Sequence, residues 1–152
     1  MNKYALLVRM NPEYWPSWES YIQPNKDARV WFKIGRRIPQ EITCGLPVII
    51  LGTKNLGILA TGETVTNSQL RTDPDWAEVS PTQQEECKEV HYRVQISFKG
   101  LQSPIPIETI RANSLLFQLP KTARETVTWL SSEKYNTILD LITRQNQPVN
   151  VE

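Results

Sequence analysis

The most regular pattern in the chain lies at 91–99, where apolar and polar residues alternate one for one. Tyr92, Val94, Ile96 and Phe98 then share the inward face of a strand, with His91, Arg93, Gln95, Ser97 and Lys99 outward. Arg29–Ile34 alternates in the same way, setting Val30, Phe32 and Ile34 on one face and Trp31 with Lys33 on the other. Tyr4–Arg9 reads as a largely buried first strand, and Pro47–Leu51 is a short apolar run. Gly57–Thr66 follows it across the turn Gly52-Thr53-Lys54-Asn55. Ile105–Ile110 reads as a further short strand, confined by Pro104 and Pro106 to an edge or a strand start.

Helical signals are fewer. Asn11-Pro12 has the form of an N-cap followed by proline at the first helical position, and Pro16 offers a second start. Trp15, Trp18, Tyr21 and Ile22 follow at helical spacing, so one or two short helices are expected before Gln23-Pro24. Near the end, Ser132 can cap a helix whose Tyr135, Ile138, Leu139 and Ile142 form one apolar stripe. Thr122-Ala123-Arg124-Glu125 fits a capping box, but the β-branched Thr126, Val127 and Thr128 argue against a helix there. A polar, frayed tail is expected from about Gln145. No repeat and no low-complexity segment interrupts the pattern.

Composition narrows the classes. With 152 residues, 39% of them hydrophobic, the chain suits one domain over 1–152 and can bury a core without a disulfide or a structural metal. The net charge of +1 excludes a chain-wide basic coat for nucleic acid. Its distribution is uneven. Residues 1–40 and 91–124 each carry a net +4, and residues 71–90 a net −4, so an acidic loop interrupts a basic framework. Cys44 and Cys87 with one histidine cannot build a zinc site without carboxylates and read as reduced thiols, their spacing leaving a bridge between them open. The apolar start, Tyr4 to Val8, is too short for a signal-peptide core or a membrane helix, so a cytoplasmic protein is expected.

Catalysis finds little support. His91 is the only histidine available to a triad and sits on the outward face of a strand. There is no G-x-x-x-x-G-K-[ST] and no G-x-G-x-x-G to cradle phosphates. Glu85-Glu86 lies in a polar loop without the apolar shielding that raises a carboxyl pKa. A protein without catalytic residues, metal or cofactor is the expectation. The aromatic inventory says more: Trp15, Trp18 and Trp31 sit close to Lys26, Arg29, Lys33, Arg36 and Arg37. Aromatic faces can hold a planar base while basic groups grip the adjoining phosphates. Trp18 fits the core as well, whereas Trp31 points away from its apolar neighbours.

Three runs carry a family resemblance: Val30 to Pro39, Cys44-Gly45-Leu46-Pro47-Val48-Ile49-Ile50-Leu51-Gly52, and Gly57-Ile58-Leu59-Ala60-Thr61-Gly62-Glu63-Thr64-Val65. Together they resemble the core of EVE domains, members of the PUA-like superfamily that also holds YTH and ASCH domains. The resemblance implies an α+β fold, a bent and mostly antiparallel β pseudobarrel with short helices packed at its openings. It further implies an aromatic pocket for a modified nucleobase in DNA or RNA. That pocket would comprise Asn11, Trp15 and Trp31, with the turn residues Gly52, Thr53 and Lys54 nearby. Lys33, Arg36 and Arg37 are the candidates for phosphate. A role in defence against foreign DNA would then need a partner nuclease or other effector. Two readings compete: an RNA or small-molecule binding module that senses no modification, and a protein-interaction domain whose tryptophans are core.

Overall fold

Residues 5–10 are apolar on both sides of the chain except at Arg9, and a strand of that kind needs cover on both faces. In the computed structural model, which describes residues 3–34, 42–72, 88–120 and 127–146, this segment is β1 (Ala5–Met10). It lies inside a seven-stranded sheet, one strand from its end. β2 spans Asp27–Lys33, β3 Pro47–Gly52, β4 Gly57–Thr64, β5 Gln69–Arg71, β6 His91–Ile105 and β7 Val127–Leu130. The order is β2-β6-β4-β3-β1-β7, with β5 paired to β6. β1 and β3 run parallel, from Leu6 opposite Val48 to Met10 opposite Gly52. Every other strand-to-strand pairing among the described residues is antiparallel. Among the described residues the end strands β2 and β7 do not pair with each other, so the sheet stays open.

The two faces of the sheet carry separate cores. Leu6, Val8, Val48 and Ile50 join Val30, Phe32, Val94, Ile96, Phe98 and Trp15 on one side. Ala5, Leu7, Ile49 and Leu51 face the other way, onto Ile105, Ile107, Ile110, Leu116 and Ile138. The helices follow from this division. α1 (Trp18–Tyr21) sets Trp18 and Tyr21 against the first core. α2 (Ile107–Arg111) and α3 (Ser132–Gln145) cover the second. The β3–β4 hairpin turns at Lys54 and Asn55, both with positive φ (58° and 66°). Two successive left-handed residues give the primed turn whose twist matches its strands.

The strands expected around 4–9, 29–34, 47–51, 57–66 and 91–99 are all present within two residues, apart from a longer end to the last. Several expectations need correction. No strand starts at Ile105: β6 runs on through Pro104, and Ile107–Arg111 is helical, with Pro106 at its extended N-cap position. Asn11 caps only a turn, its Oδ1 accepting from the Glu13 N–H at 2.9 Å, and the helix beyond is a single turn. Ser131, not Ser132, caps α3, accepting from the Lys134 N–H at 3.2 Å. Leu141 rather than Leu139 packs beside Tyr135 and Ile142. Gln145 and Asn146 are not frayed: Asn146 exchanges two bonds with the Ser103 backbone (2.7 and 3.0 Å), and Gln145 donates to its hydroxyl. The capping box at 122–125 lies outside the described residues. Val127 and Thr128 take the strand their β-branching favours.

Candidate nucleic-acid interface

The parallel pairing of β1 and β3 puts two strand ends side by side. Thr53 N–H donates to the Met10 carbonyl at 2.9 Å, which brings the loop after β1 against the β3–β4 turn. Lys54 then reaches Glu13 at 3.5 Å, both side chains exposed. Asn11, Gly52, Thr53 and Lys54, far apart in sequence, are thereby gathered at one end of the sheet. Asn11 is occupied with its own loop: its carbonyl accepts from Tyr14 and Trp15, and its Oδ1 from Glu13. Thr53 Oγ1 is buried and has no hydrogen-bond partner among the described residues. A buried hydroxyl left unmatched is costly unless water or a ligand satisfies it.

Trp15 does not share a surface with Trp31. Its ring is 4% exposed and packs edge-on to Phe32 at 6.0 Å and tilted to Tyr21 at 5.3 Å. It belongs to the core that Val30, Phe32 and Ile34 line, so it lies on the inner face of β2. Trp31 takes the outer face by alternation. The single pocket implied for Asn11, Trp15 and Trp31 therefore divides, with β2 between the two indoles. Trp18 and Trp129 are both half-buried against the first core, and Lys3 Nζ lies 5.9 Å from the Trp129 ring centre.

Around Trp31 the register assembles cations. Arg29, Trp31 and Lys33 stand opposite Ser97, Gln95 and Arg93 of β6. Across β6, β5 sets Gln69 opposite Arg93 and Arg71 opposite His91. Arg71 reaches over β6 to place its guanidinium carbon 3.9 Å from the Trp31 ring centre, a stacked cation–π contact. Alternation sets Arg93 on the outward face. It is outward but only 3% exposed, donating to the backbone carbonyls of Arg71 (3.1 Å) and Glu89 (3.5 Å). His91 pairs with Glu89 at 3.0 Å, and Lys99 with Asp27 at 3.7 Å. Arg36 and Arg37 lie outside the described residues, as do Cys87 and most of the acidic loop. Cys44 is an exposed free thiol.

Arg71 and Arg93 escaped sequence reasoning. β5 is three residues long, too short to show alternation, and Arg71 reads there as the start of the acidic stretch. Arg9 is a further case. Burial pushes its pKa down, and its guanidinium donates only to neutral acceptors, the Leu119 carbonyl and the Thr128 hydroxyl. Among the described residues no three His, Cys, Asp or Glu side chains are placed to hold a metal ion, and no helix is long and apolar enough to cross a membrane.

No family model matches the sequence, and no curated protein is significantly similar to it. Solved structures are. A Pseudomonas syringae protein superposes with a TM-score of 0.61 at 20% identity, covering 91% of this chain and 99% of its own. An ASCH protein of Zymomonas mobilis gives 0.56 at 15% identity, over 92% of this chain and 96% of that one. The DUF55 domain of human thymocyte nuclear protein 1 gives 0.55 at 15%, over 91% and 98%. The fold of this chain is thus the one these structures share, α+β with a mostly antiparallel sheet, as the resemblance implied.

Proposed function

We propose that this chain is a non-catalytic nucleic-acid-binding module of the EVE type, reading a modified base in DNA or RNA. One observation carries the reading: Trp31, on the outer face of β2, lies under the Arg71 guanidinium amid Arg29, Lys33 and Arg93. An indole set among cations suits a base on the ring and phosphates beside it. The PUA-like fold supports this without naming the ligand. Any cleavage of foreign DNA then falls to a partner effector such as a nuclease, and the module works in the cytoplasm.

The experiment compares methylated with unmethylated single-stranded oligonucleotides on the wild-type protein and on Trp31→Ala. Preference for the methylated strand, lost in the variant while the melting temperature holds, is the expected result. Binding that ignores salt would instead mark a protein-interaction surface, since phosphate contacts weaken steeply as salt rises. A second reading has one observation in its favour. The unmatched Thr53 Oγ1, beside Asn11 and Lys54, suits a small polar ligand with no sensing of modification. Equal affinity for both strands, unaffected by Trp31→Ala and reduced by Thr53→Val, would select it.

A further inference from the structure

We infer that Arg71 makes the Trp31 surface select a base that carries a phosphate over a free nucleoside. The inference rests on the proposed nucleic-acid function and adds to it which form of ligand is accepted. At 3.9 Å from the ring centre, the guanidinium occupies one face of the indole at stacking distance. A planar base cannot share that face with it. A ligand stacking there has to displace Arg71, and the displaced cation needs a new partner.

The surroundings decide what that partner is. Arg71 donates from Nε to the adjacent Thr72 carbonyl at 3.0 Å, a neutral acceptor. Among the described residues no carboxylate lies within ion-pair distance of it. Its cross-strand neighbours are basic residues instead: His91 directly opposite, then Arg93 and Lys33 in the adjacent row on the same face. Glu89, two residues before the cross-strand partner of Arg71, is engaged by His91. Among the described residues, a guanidinium lifted off the indole therefore gains from an anion brought by the ligand and from little else. A phosphate adjoining the stacked base supplies it, in the bidentate geometry arginine favours. A nucleoside brings no anion and must meet the displacement cost alone.

The side chain can move without the strand. The Arg71 backbone is held by pairing with His91 and by the Arg93 Nε–H on its carbonyl, so the guanidinium swings on a fixed anchor. The two ligand classes consequently respond to Arg71 with opposite signs.

The test titrates isotope-labelled protein with 5-methyldeoxycytidine, N6-methyldeoxyadenosine, their monophosphates and short single-stranded oligonucleotides carrying each base. The Trp31 indole N–H resonance is the reporter. In Arg71→Ala the nucleoside should bind about threefold tighter, because the cation–π cover is gone. The monophosphate should bind about fivefold weaker, because the phosphate partner is gone. Arg71→Lys should keep monophosphate binding within about twofold while still freeing the nucleoside, since it holds the charge but not the flat stack. Loss of both affinities in Arg71→Ala, or no change in either, overturns the inference and leaves the proposed function standing. A wild-type protein that binds none of these probes at millimolar concentration overturns the proposed function, and this inference with it.

Discussion

The two faces of β2 hold one tryptophan-bearing surface each, and they have opposite characters. On the inner face Trp15 meets Phe32, Tyr21 and the first core, dry and almost closed to solvent. On the outer face Trp31 stays half-exposed, covered by an arginine side chain. The residue type is the same, and only the company differs. An indole surrounded by apolar rings contributes to stability; one surrounded by cations is available to a ligand that brings a base and a phosphate.

The largest effect tests the inner face. Trp15→Ala should cost about 3–5 kcal/mol of stability, the penalty for emptying a large buried aromatic site, read as a drop in the denaturant midpoint. A loss below about 1 kcal/mol would show that Trp15 is not core, and the contrast would collapse. Next comes the outer face. Trp31→Ala should cost about 1–3 kcal/mol of oligonucleotide affinity, about fivefold to a hundredfold or more, and about 1 kcal/mol or less of stability. If it unfolds the protein instead, both indoles are structural.

Smaller changes sharpen the same contrast. Arg29→Ala and Lys33→Ala should each weaken binding to all sequences alike and lower the salt slope by about one, measured by titration across salt concentrations. An altered base preference would move these side chains from phosphate to base. The smallest effect is at the other end of the sheet. The exposed Lys54–Glu13 pair should be worth under about 0.5 kcal/mol, so Lys54→Ala should leave the melting curve almost unmoved. A large loss of oligonucleotide affinity there would shift the interface from the Trp31 face to the β1–β3 end.

Much of this fold is legible in the chain. Strict alternation at 91–99 and 29–34 marked strands and their buried faces, because a side-chain period of two follows directly from backbone geometry. Trp31 could be assigned to the outer face for the same reason. Helix edges were read less well: Asn11-Pro12 and Ser132 carry capping chemistry, yet a turn and Ser131 use it, since the cap depends on where the packed helix ends. Pro104 in the sequence pattern points to an edge or a strand start, and β6 instead runs through it.

What the sequence by itself determined was local: which segments extend, which face of each is apolar, and that cations cluster near an outward indole. The tertiary structure alone decided who meets whom. It joined Asn11 to Thr53 through the parallel β1–β3 register, and drew Arg71 across β6 onto Trp31. It closed Arg93 from solvent on a face that alternation marks as polar, and put β2 between Trp15 and Trp31. Each of these is a pairing between residues tens of positions apart, set by strand order and register. Alternation within one strand carries no information about either, because it specifies a face and not the neighbour on it.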